Sequence, residues 1–340
     1  VTVSNPLVVD QLVVEGTLIN STTDFVVSGS IIFENNSLYQ HSFPSSQPTA
    51  GTIPMAIWKP GSTCEIRACG NAFQPGSLNQ TFHHFIWNNS TQPHDFNLIA
   101  NPNKVNGNFE IKNTNGKNLV YKGGSAGDLL ISDSLKITGG TFILTNGSSS
   151  TNIGAATYYQ DGGCLDLSAS GVACTLSVVN HFTHTGGTIQ RSGSSSSNCI
   201  LLNEPGPATM ESIGFRTTDP IVFMISKEAG TGTCVIPIQK LFVLNQLTRF
   251  TLLDNKSVLT DLQMDGTLEV YNNTWDLTQG VTVVTGRFTN HSMLPVSSNS
   301  TPASLRFNAN SFYIHDGVGG ELVSASWDST STLFINGIEQ

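Results

Sequence analysis

The sequence predicts an all-β chain wound as a right-handed parallel β-solenoid, with coils of about 23–25 residues. Three observations carry that expectation. Gly-Gly pairs recur at Gly139-Gly140, Gly162-Gly163 and Gly186-Gly187, at nearly constant spacing. A longer pattern of Phe33, Asn36-Ser37, Tyr39 and His41 returns as Phe307, Asn310-Ser311, Tyr313 and His315, all at one offset. Repetition at fixed spacing is the signature of stacked, quasi-one-dimensional architectures. Lastly, 32 Gly and 14 Pro interrupt every candidate helix, while Val, Ile, Leu and Phe carry most of the apolar content. Those side chains suit half-buried, pleated strands.

The elements follow in order. Near the start, Leu12-Val13-Val14-Glu15-Gly16-Thr17-Leu18 is answered by Leu262-Gln263-Met264-Asp265-Gly266-Thr267-Leu268. The offset between the copies then grows, by the length of one coil, at Phe33/Phe307. Trp58, Cys64 and Ile66 answer to Trp327, Leu333 and Ile335 at a slightly smaller offset. In the middle, Leu135–Phe142, Tyr158–Leu165 and Phe182–Ile189 each read as strand, Gly-Gly corner and strand. Ser-rich loops at Gly147–Ser150 and Gly193–Ser197 separate them. Coils of this kind stack about 4.8 Å apart and satisfy one another's backbones, and Gly suits corners that need φ > 0. Residues 1–261 therefore read as one long module, with coils clearest at 105–204 and less regular at 205–261. Residues 262–340 read as the start of a second copy that stops mid-module. Tandem β-sandwich domains with Gly-Gly hairpins are the alternative, and apolar runs such as Ile221–Ile225 keep it open for 205–261.

Only 11% of the residues are charged, against roughly 25% in ordinary soluble proteins. Hydroxyls and amides must provide the solvated surface. A net charge of −9 argues against nucleic acid as a partner, since phosphates need a basic stripe. No apolar run is long enough for a membrane span. Val1 is no initiator methionine, so the chain reads as a segment of something longer or processed. Six cysteines are compatible with an oxidising, extracellular location.

Chemistry-bearing patterns are scarce. Cys174 and Cys199 lie about one coil apart, so stacking predicts a disulfide between them. Cys64 and Cys69 are candidates for a small local loop, and Cys164 and Cys234 have no argued partner. Buried small hydrophobes are the other reading of all six. His181 and His184 fall on opposite faces of a strand and make a poor metal pair. Asp161 has Thr138 and Thr185 at the equivalent positions of neighbouring coils, so no acidic ladder forms there. Neither a G-x-S-x-G elbow nor a Gly-rich loop opening a helix occurs. The expectation is no catalytic residue, no metal and no cofactor: not an enzyme. Trp87, in the segment Asn79–Asn88, and the adjacent pair Tyr158-Tyr159 are candidates for stacking on sugar rings. Core filling is the competing role, although one of two adjacent tyrosines on a strand must face outward. Asn-x-Ser/Thr triplets at Asn20, Asn35, Asn79, Asn89, Asn146, Asn255, Asn272, Asn290 and Asn299 leave glycosylation open.

The stretches Leu78–Asn88, Val105–Phe109 and Gly139–Phe142, with Tyr-x-His…Trp at Tyr39 and again at Tyr313, resemble a known repeat. It is the repeat of very large Bacteroidota cell-surface proteins, and the resemblance covers roughly residues 30–200 and 300–340. The resemblance implies an adhesin or appendage subunit exported by type IX secretion, with many modules in tandem at the cell surface. Because it lies in scaffold residues, it transfers no catalytic or binding position. Residues 205–260 depart from it, with more Lys, Arg and long aliphatics, and are candidates for a specialised contact surface. The function expected is a structural and adhesive module of an extracellular filament or fibre. Its expected partners are filament neighbours or like copies, and surface glycans. A carbohydrate-binding module and a β-helix polysaccharide-degrading enzyme are the alternatives.

Overall fold

Alternating apolar and polar residues give this chain short strands with one buried and one solvated face. In the computed structural model every strand pair among the described residues is parallel. None of those residues is helical. The structure describes residues 1–3, 8–21, 26–27, 29–44, 46–71, 73–122, 127–194, 286–290, 296–301, 303–317 and 321–336, and chiefly the strand backbone between 199 and 284. β-Sandwich domains pair their strands antiparallel, so parallel pairing throughout makes this a β-solenoid. The step from one coil to the next is shortest where Thr2 meets Ile19 and longest where Phe182 meets Met210 and Thr233 meets Asp261. The expected spacing holds along Phe96, Leu119, Phe142 and Leu165, which follow one another at equal intervals. Corners of different length absorb the rest.

The chain packs as two compact units. The first comprises Val1–Ala156 and Asp161–Ser170. One of its sheets carries Thr17–Asn20, Leu38–Phe43, Thr63–Cys69, His84–Asn88 and Phe109–Asn113 in parallel register. Leu18, Tyr39, Cys64, Phe85 and Phe109 thereby form one buried column. A second sheet stacks Leu12–Val14, Ile31–Phe33 and Ile57–Trp58, with Val14, Phe33 and Trp58 facing inward. Phe33 and Trp58 stack with centroids 4.3 Å apart, and Trp58 meets Phe82 at 5.1 Å. A third column is Phe96, Leu119, Phe142 and Leu165. Each fully buried ring contributes on the order of 2 kcal/mol of transfer free energy. The first two of the three expected Gly-Gly corners stack: a Cβ on Gly163 would lie 2.5 Å from the Gly140 carbonyl oxygen, and one on Gly162 2.6 Å from that of Thr138. Gly140 and Gly163 adopt φ of 70° and 61°.

The second unit comprises Thr157–Gln160 and Gly171–Gln340. Within it Cys174–Gln190 pairs with Cys199–Glu204 and Thr209–Thr217, and the parallel ladder continues to Thr332–Ile335. Here the longer repeat becomes structural. Phe307 stacks on Trp327 at 4.3 Å with planes 7° apart, as Phe33 stacks on Trp58 at 4.3 Å and 8°. Asn290 Nδ2 donates to Tyr313 at 3.5 Å, and Tyr313 meets His315 Nδ1 at 3.3 Å. Asn20, Tyr39 and His41 make the same relay at 3.3 and 3.1 Å. The added coil is visible too. Leu18 pairs directly with Tyr39, whereas Leu268 pairs with Phe288, which pairs with Tyr313.

The expected Cys174–Cys199 disulfide is corrected by register. Cys199 sits opposite Thr175, one residue out of line, and Cys174 is buried and forms no disulfide. The side chains of Cys199 and Cys234 lie outside the described residues. Cys64 and Cys69, both buried on one strand, are not bonded to each other, so the small local loop does not close.

Candidate functional site

Each sequence-derived candidate takes its position from strand parity. On His84–Asn88, Phe85 and Trp87 point inward, so Trp87 is fully buried and cannot stack on a sugar. Its indole N–H donates to Gln92 Oε1 at 3.0 Å, and Gln92 Nε2 donates to the carbonyls of His94 and Asn118. Tyr158 is likewise fully buried, stacked on Phe182 at 4.8 Å, with its hydroxyl bonded to Gln160. Tyr159, the outward member of that pair, is half-buried. The structure thus removes Trp87 and Tyr158 from the expected glycan-stacking set. The side chains of 205–260, the expected contact surface, lie outside the described residues.

The polar groups of the first unit mostly tie one coil to the next. Glu65 accepts from Gln40 of the preceding coil and Asn88 of the following one, both at 2.8 Å. Asp95 accepts from the backbone and side chain of Asn118 at 2.8 and 2.9 Å, and Asp128 receives Asn152 N–H at 2.9 Å. Among the described residues no three His, Cys, Asp or Glu side chains gather as a metal-binding group. Burial pushes the Cys64 and Cys69 thiols well up, and burial with the nearby Asp166 charge raises Cys164 to about 11. Thiols held so high stay protonated and make poor nucleophiles at neutral pH. His84 is lowered, first by burial and then by its neighbour His83, whose ring lies 4.5 Å away. His184 is lowered by burial. Of the glycosylation triplets, Asn20, Asn89 and Asn290 are buried, while Asn35, Asn79, Asn146 and Asn299 are exposed. Asn255 and Asn272 lie outside the described residues.

Sequence reasoning misses one feature of the first unit. Phe73, 80% exposed, stands at a corner beside Gln74 and faces a hollow of about 410 Å³ that Pro48, Thr49 and Thr52 help to line. A usable signal is present in the two copies. The segment from His41 to Trp58 is five residues longer than the one from His315 to Trp327, although both close the same Phe–Trp stack. No protein family, curated protein or solved structure matches this chain.

Proposed function

We propose that this chain is a structural and adhesive segment of a large extracellular filament or cell-surface fibre, like the Bacteroidota surface proteins it resembles. The observation that supports this reading is duplicated scaffolding. The Phe–Trp stack and the Asn–Tyr–His relay occur twice, with their Phe and Tyr members at one common offset, each on parallel-paired strands. A sequence that spends its distinctive residues on repeated internal columns is built for length. Coil-on-coil hydrogen bonding shares load among many backbone bonds, each depending only on its neighbours. The reading places the protein at the cell surface after type IX export, assigns it no catalysis, and gives it like copies and surface glycans as partners. Immunogold labelling of the producing cells with antibody raised against this chain tests it. Gold on fibres projecting from the cell envelope is the expected result. Gold confined to the cell interior would overturn the reading.

A further inference from the structure

The hollow beside Phe73 has the chemistry of a binding site, and we infer that it takes a neutral saccharide, with the Phe73 ring as the stacking platform. Four observations lead there. The ring itself is anomalous: the other phenylalanines described in the first unit are buried, whereas Phe73 is 80% exposed. Its neighbours in the hollow are Thr49, Thr52 and Gln74, which offer hydroxyl and amide groups, and none of the described lining residues is charged. A phosphate, carboxylate or amine would lose hydration there without a counter-charge. A pyranose, with an apolar C–H face and a rim of hydroxyls, matches an aromatic platform flanked by neutral polar groups.

The hollow is also preformed. His41 Nε2 donates to the Ala50 carbonyl at 2.6 Å, and a Cβ on Gly51 would lie 2.4 Å from the buried Phe43 ring. Gly76 N–H donates to Gly51 at 2.9 Å, Ile53 N–H to Gly76 at 3.1 Å, and Asn71 N–H to Gln47 at 3.0 Å. Walls fixed across two coils lose little entropy when a ligand arrives. Finally, the fold does not require this corner, since the second copy links His315 to Trp327 by a shorter segment than joins His41 to Trp58. The inference deepens the adhesive reading by naming a ligand class, yet a sugar would bind here whether or not the chain belongs to a fibre.

Saturation-transfer NMR on the full 340-residue chain, with glucose, galactose, mannose and N-acetylglucosamine each at about 10 mM, tests the site directly. At least one sugar is expected to receive saturation on its ring protons. Phe73→Ala should weaken that binding about tenfold or more, Phe73→Trp should retain it, and Tyr159→Ala should leave it unchanged. Because Phe73 is exposed, its replacement should not move the thermal melt. Should it do so, Gln74→Ala decides the matter by the same readout. Silence from all four sugars on the wild-type chain overturns the inference, as does undiminished binding to Phe73→Ala. Neither result bears on where the antibody label falls.

Discussion

Trp87 lies fully buried, and its indole N–H would be orphaned there without the Gln92 side chain 3.0 Å away. Gln92 serves three groups at once, since its amide also satisfies the carbonyls of His94 and Asn118 at 3.0 and 2.9 Å. Gln92→Met keeps the length and removes all three bonds, so it should cost about 2–3 kcal/mol. The urea midpoint followed by tryptophan fluorescence measures this; an unchanged midpoint would refute the role given to Gln92. His84 supplies a pH-dependent counterpart. Its Nδ1 accepts the Asn108 N–H at 2.9 Å, which requires a lone pair and hence a neutral ring. Burial lowers its pKa most, the charges of His83 and Lys136 act the same way, and Asp133 opposes them. The unfolded ring, near 6.5, therefore takes up a proton before the folded one as pH falls. Stability is complete above that value and declines below it, towards the lower folded pKa. His84→Gln should flatten the fall in unfolding midpoint between about pH 7 and pH 5 relative to the wild type. Parallel pH profiles for the two proteins would count against it.

At the scale of the element, the Gly-Gly corner fixes how coils meet. Gly163 combines φ of 61° with a neighbouring carbonyl only 2.5 Å from where a Cβ would stand. Gly163→Ala therefore meets both left-handed strain and a backbone clash, for a loss of about 2–4 kcal/mol. Gly116→Ala is the control: its φ of 68° imposes the same strain, but nothing lies within 4 Å of its Cβ. A larger drop in melting temperature for Gly163→Ala than for Gly116→Ala is the expected outcome. These corners were legible in the sequence because parallel coils repeat their turn chemistry at nearly constant spacing. Strand parity was harder to read. In Phe85-Ile86-Trp87 every residue is apolar, so alternation alone does not say that Ile86 faces out and Trp87 in. The cysteine pairing failed on one residue: Cys199 aligns with Thr175 and not with Cys174, and register slips invert faces. Phe73 was illegible because corners carry no period; only comparison of the two copies exposes the longer corner that shapes its hollow.

At the scale of the whole molecule, stability is a sum over neighbouring coils within each of two compact units. Contacts lie almost entirely between one coil and the next, as the stepwise registers of Leu18, Tyr39, Cys64 and Phe85 illustrate. A defect should therefore stay local. Trp58 gives the sharpest test, because it stacks on Phe33 below and touches Phe82 above, and its indole N–H donates to Gln80 at 2.9 Å. Trp58→Ala removes one of the largest buried side chains of its column, at a cost of about 3–5 kcal/mol. In a compact globule that loss would lower amide protection everywhere, since all parts unfold together. In a chain of coils it should fall on Ile31–Phe33, Ile57–Trp58 and their immediate partners. The strand Thr141–Thr145, several coils away in the same unit, should keep its wild-type exchange rates. Hydrogen exchange read peptide by peptide separates the two cases. Uniform deprotection across the unit would mean that the coils are energetically one body, and the nearest-neighbour account of this solenoid would have to be abandoned.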